Sequence, residues 1–138
     1  QMFINKSKAI KGYSNTEHSS SLSKNSYQVV ENILVELERS MKIVSKLTEK
    51  DKVEENDIQM RNSSFSRACI AIYTLQTSLD FEKGGSLATK LFQVYEFCRK
   101  QLIKAFTKKV VNGINRAIKT LNEIISAWKE MVIKNATI

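Results

Sequence analysis

Apolar residues recur every three or four positions along four stretches of the chain, with polar and charged residues between them. In the first stretch Tyr27, Val30, Leu34, Leu37, Met41 and Val44 form one stripe, widened by Ile33. Ser23, Asn25 and Ser26 stand ahead of it as good N-cap residues, and the spacing predicts an amphipathic helix over about residues 26–46. The segment from Thr48 to Asn56 is highly charged and aperiodic, so it is expected as a joint. Ile58, Phe65, Ala68, Cys69, Ile72, Leu75 and Leu79 predict a second helix over about residues 56–79. Ile70 and Tyr73 fall off that stripe on a second apolar edge, which implies either a second neighbour or part of a binding surface. Leu87, Leu91, Val94, Tyr95, Cys98, Leu102 and Ala105 predict a third helix over about residues 86–106, with Ala88, Phe92, Phe97, Ile103 and Phe106 broadening its apolar surface. Ile114, Ile118, Leu121, Ile125, Trp128 and Val132 predict a fourth over about residues 108–134, with Gly113 a weak point inside it.

Between the second and third stripes the chain carries Gly84 and Gly85, side by side. A glycine pair weakens a helix and permits positive φ, so it predicts a helix end and a tight reversal. No strand precedes it and neither phosphate-loop glycine pattern is present, so it is not a nucleotide site. Four long helices with short connections predict an all-α fold, an antiparallel four-helix bundle over residues 26–135. Residues 1–25 are polar and rich in Ser, Asn and Lys, and are expected as a flexible N-terminal arm in which Ile10 and Tyr13 stand out as apolar. No apolar run suits a membrane span or a secretory signal.

Composition narrows the chemistry. The one histidine, His18, lies in the arm, and Cys69 and Cys98 sit among apolar residues inside helical patterns. Two cysteines and one histidine are too few for a closed zinc site, and helices without histidine cannot build a ferritin-like di-metal centre. Neither thiol has a visible base, so the chain is expected to be a non-enzyme with no cofactor and no metal. Its formal net charge is +8, unevenly placed: residues 84–138 carry ten basic and three acidic side chains, residues 27–83 eight and ten. That asymmetry suits a solvated lysine-rich surface, or a basic helical bundle that binds nucleic acid or an anionic surface. The excess apolar surface of the second and third helices suits either a filled core or a groove for a partner's amphipathic helix.

The run Leu79-Asp80-Phe81-Glu82-Lys83-Gly84-Gly85-Ser86-Leu87-Ala88, followed in register by Leu91, Tyr95, Leu102 and Ala105, resembles the signature of bacterial flagellar export chaperones of the FliS family. Ala127-Trp128-Lys129-Glu130 is similar to the end of that family's last helix, and the Tyr13 segment to its N-terminal arm. The resemblance implies a cytoplasmic helical bundle that binds the disordered C-terminal segment of flagellin one-to-one. It further implies that premature filament polymerisation is thereby prevented and type III flagellar export assisted, with export apparatus components as further partners. In that family the arm covers part of the groove when flagellin is absent. Tyr13 is the matching residue here, and Ile10 joins it on apolarity alone. Leu75, Leu79, Leu87, Leu91 and Tyr95 are the residues expected to line the flagellin groove, although the same spacing suits core side chains. The chain departs from the family in having no proline before its first helix and in being basic.

Overall fold

Asp80 decides where the chain reverses. Its carboxylate Oδ1 accepts from the backbone N–H of Lys83 at 3.0 Å, and its carbonyl accepts from that of Gly84 at 2.8 Å. An N-cap aspartate of this kind starts a helix at the next residue. The computed structural model describes residues 22–137, and these form four helices: α1 Leu22–Glu49, α2 Glu55–Thr77, α3 Phe81–Lys108 and α4 Asn112–Thr137. The reversal between α2 and α3 therefore falls at Ser78–Asp80, ahead of the glycine pair where it was expected. Gly85 instead breaks α3 from within, at φ 52° and ψ −129°, so that the first turn of α3 meets the rest at a kink. The end of α2 is closed by hydroxyls: Thr77 Oγ1 donates to the Tyr73 carbonyl at 2.8 Å and Ser78 Oγ to that of Leu75 at 2.9 Å. Ile10 and Tyr13 lie outside the described residues.

The helices alternate in direction around a ring, α1 beside α2, α2 beside α3, α3 beside α4 and α4 beside α1. One diagonal is short, since α1 also touches α3, whereas α2 does not reach α4. α1 supplies the centre of the core: Val30, Ile33, Leu34, Leu37, Met41 and Val44 are all buried, as its clean apolar stripe implies. α2 meets the core with small residues, Ser64, Ala68 and Ala71, beside Ile72 and Leu75. Small side chains let adjacent helix axes approach closely.

Two polar anchors fix the end where α1 passes to α2 and α3 to α4. Arg61, near the start of α2, donates to Thr48 Oγ1 at 2.8 Å and to the Phe106 carbonyl at 2.7 Å, while its guanidinium lies 4.4 Å from the centre of the Phe106 ring. Phe106 in turn stacks on Phe65 with centroids 4.0 Å apart. Ser45 Oγ donates to Asn115 Oδ1 at 2.6 Å, joining α1 to α4. α3 ends at Lys109, whose φ of 57° is the left-handed cap conformation and whose N–H reaches the Ala105 carbonyl at 3.1 Å. Among the described residues, no helix is long and apolar enough to cross a membrane.

Candidate functional site

Because α2 touches only α1 and α3, its outer face has no helix over it. The residues on that face are nevertheless apolar: Ile70 is 58% exposed and Tyr73 70%. Successive positions three apart on a helix drift by about 60° around its axis. Arg67, Ile70, Tyr73 and Gln76 therefore sweep from the α1 side of α2, across its outer face, to the α3 side.

On the α1 side the sweep begins in an open groove of about 640 Å³ between α1 and α2. Val29, Ile33 and Ile70 give it apolar walls, and Asn32, Glu36, Arg39 and Arg67 a polar rim. Glu36 accepts from Arg39 at 2.5 Å and from Ser40 Oγ at 3.1 Å. The Arg39 hydrogen bond, aided by Ser40 and by the charges of Arg39 and Arg67, holds the Glu36 carboxyl below the usual carboxylate range despite partial burial. Glu36 and Arg39 therefore stay charged at neutral pH, while the walls offer apolar contact.

On the α3 side the sweep ends at a polar clasp. Gln76 Nε2 donates to Glu96 Oε1 at 3.1 Å, and Glu96 is also held by Arg99. The Arg99 hydrogen bond foremost, then that from Gln76, brings the Glu96 carboxyl down to about 2. Beside this clasp Phe81, Leu87 and Phe92 are exposed, with the Phe81 ring edge-on to Phe92 at 5.9 Å between centroids. A strip of exposed apolar side chains thus accompanies the α2–α3 pair, with a groove along one margin.

Of the five residues expected to line a groove, Leu87 is the one that reaches this surface, at 47% exposure. Leu75, Leu79, Leu91 and Tyr95 are buried beneath it and form part of the core. Ile70 and Tyr73, the second apolar edge of the sequence pattern, are the most exposed apolar side chains of the strip. Val29, Asn32, Glu36, Arg39 and Arg67 carry no sequence signal of their own as groove residues, because each fits an ordinary surface position of an amphipathic helix.

The arrangement is suited to holding an apolar segment. Among the described residues no group of three His, Cys, Asp or Glu side chains could hold a metal ion. Burial pushes the Cys98 thiol up to about 12 and raises that of Cys69, so both are poor nucleophiles at neutral pH. The Tyr95 phenol is likewise raised by burial.

The family model described as "Flagellar protein FliS" matches residues 9–136. The chain is 30% identical over 80 residues to a protein of Salmonella typhimurium named "Flagellar secretion chaperone FliS", a stretch covering 57% of this chain and 59% of that protein. It is 28% identical over 82 residues to the protein of the same name from Vibrio cholerae, covering 59% of this chain and 60% of that one. The matched stretch thus spans about three fifths of the length of these relatives.

Proposed function

The chain belongs to the FliS family of flagellar proteins, and from that premise we propose that it is a flagellar secretion chaperone whose client is the C-terminal segment of flagellin. The observation that carries the reading is the uncovered apolar strip on α2 and α3, with Ile70 and Tyr73 exposed where a core helix would carry polar residues. An amphipathic client segment lays its apolar side chains over Ile70, Tyr73, Leu87 and Phe92 and seats one margin in the α1–α2 groove. Leu75, Leu79, Leu91 and Tyr95 act from below, as the rigid floor that holds those side chains in place. The complex is one-to-one, and in the bacterial cytoplasm it hands the client to the type III flagellar export apparatus.

Magnitudes suit a reversible carrier. Covering the exposed part of these four side chains, about half of each, and a like area of the client gives roughly 6–12 kcal/mol gross, at about 1.5–3 per fully buried side chain. Ordering a disordered client costs about 2–5 kcal/mol, and association itself at least about 4. What remains is modest, so release needs no fuel beyond competition for the client. While bound, the segment is unavailable for filament assembly.

Seeded polymerisation tests this directly. Flagellin monomer from the same organism, mixed with filament fragments, is expected to stop elongating when the protein is present at equimolar amount, with a one-to-one complex on size-exclusion chromatography. Unchanged elongation and separate elution would refute the reading.

A further inference from the structure

Four exposed cations, Lys104, Lys108, Lys109 and Arg116, crowd the corner where α3 passes to α4. The ion pairs recorded among the described residues are Arg39–Glu36, Lys42–Glu38, Lys50–Asp57 and Arg99–Glu96. None involves Lys104, Lys108, Lys109 or Arg116, all exposed, from the end of α3 and the start of α4. Nor does any of these four have an acidic residue three or four positions away in sequence. Lys104 and Lys108 lie one turn apart, and Arg116 stands three positions before Lys119, spacings at which like charges repel. The α3 C-terminus favours cations, but Arg116 sits one turn into α4, toward the end where a helix favours anions. Val110, 40% exposed, sits at the tip between them. This local excess of cations has no counterpart inside the described fold.

The neighbouring corner has the opposite sign. Over residues 49–57, across the α1–α2 joint, Glu49, Asp51, Glu54, Glu55 and Asp57 outnumber Lys50 and Lys52, five acidic against two basic for a net of −3. Arg61 ties that joint to the end of α3 through Thr48 and the Phe106 carbonyl, so the two corners share one end of the bundle. A broad anionic body such as a bilayer or a nucleic-acid duplex approaching that end meets both corners and is repelled by one. A narrow acidic chain lies along the basic corner alone. We propose that Lys104, Lys108, Lys109 and Arg116 form a docking surface for a short acidic polypeptide segment, separate from the α2–α3 strip. Three of the four cations at this corner are lysines, and flexible lysine charges suit a run of carboxylates without fixed geometry.

The test is fluorescence anisotropy with a fluorescein-labelled octaglutamate peptide and the full chain. Saturable binding that weakens as salt rises is expected. Lys104→Glu with Lys108→Glu is expected to weaken it about tenfold or more, and Lys104→Gln with Lys108→Gln by an intermediate factor. Lys90→Glu with Lys129→Glu, which changes net charge equally on exposed sites elsewhere, is expected to weaken it less than about threefold. Circular dichroism confirms that each variant is folded. Equal weakening by the two charge reversals, no binding of octaglutamate, or tighter binding of a DNA duplex or of phosphatidylserine vesicles than of the peptide would each overturn the proposal. So would salt-sensitive self-association that the Lys104→Glu, Lys108→Glu pair abolishes while octaglutamate binding is unaffected.

Discussion

The indole N–H of Trp128 donates to the backbone carbonyl of Tyr27 at 2.9 Å, a buried bond between residues 101 positions apart. The two rings also meet, tilted at 54° with centroids 5.9 Å apart. The bond fastens the far end of α4 to the start of α1, the two helices that close the ring of four. Trp128→Phe keeps most of the apolar bulk and removes the donor. It is expected to cost about 1–2 kcal/mol, whereas Trp128→Ala is expected to cost about 3–5. Urea denaturation reads both as a lowered midpoint with an unchanged slope.

Gly85 and Gly113 are expected to respond differently to alanine. At Gly85, φ is +52° with open space around the missing Cβ, so the penalty is one of backbone alone. Gly85→Ala should cost about 1–3 kcal/mol, and Asp80→Ala, which removes the cap before the kink, about 1. At Gly113 an added Cβ would fall 1.8 Å from Gln101 Oε1, the far end of a flexible side chain that can turn aside. Gly113→Ala should therefore stay within about 1 kcal/mol of the parent. Thermal unfolding of the three variants side by side checks the order.

The glycine pair shows where sequence reasoning stopped short. It identified a break in the helical pattern, and a break exists at Gly85. It could not weigh that break against the capping strength of Asp80, which moves the reversal upstream. α1 was legible almost residue by residue, because its buried face is made of large aliphatic side chains at regular spacing. α2 was less so. Its buried face includes Ser64, Ala68 and Ala71, which carry little hydrophobic signal, while Ile58 counted toward the stripe and is exposed. The candidate site was legible only in part for a related reason. A core position and a groove position share one spacing, so Leu91 and Tyr95 could not be told from Leu87 until the kink at Gly85 and the packing of α3 were seen. Ile70 and Tyr73 stood out because they broke the stripe.

Glu96 gives a pH dependence of definite sign. Its carboxyl is lowered to about 2 in the folded chain, from an ordinary value of 4.5, chiefly by Arg99 and then by Gln76. A depressed carboxylate contributes stability that is fully present above the ordinary value and is lost as pH falls through the folded one. The contribution of Glu96 should therefore fade between about pH 4.5 and 2. Glu96→Gln cannot titrate, so its stability should fall less steeply than the parent's across that window in urea titrations at stepped pH. Parallel curves for the two proteins would assign the acid sensitivity to other carboxylates.

In the function proposed above, the exposed strip on α2 and α3 receives the C-terminal segment of flagellin. Isothermal titration calorimetry with that peptide from the same organism, run on the parent and on Ile70→Ala with Tyr73→Ala, tests it most directly. Both substituted side chains are exposed, so the melting temperature should scarcely move. One-to-one binding by the parent, a gain of helical circular dichroism on mixing, and at least about a tenfold weaker complex for the double variant are the predicted results. No heat at high micromolar peptide, or equal affinity for the parent and the folded double variant, would contradict the account.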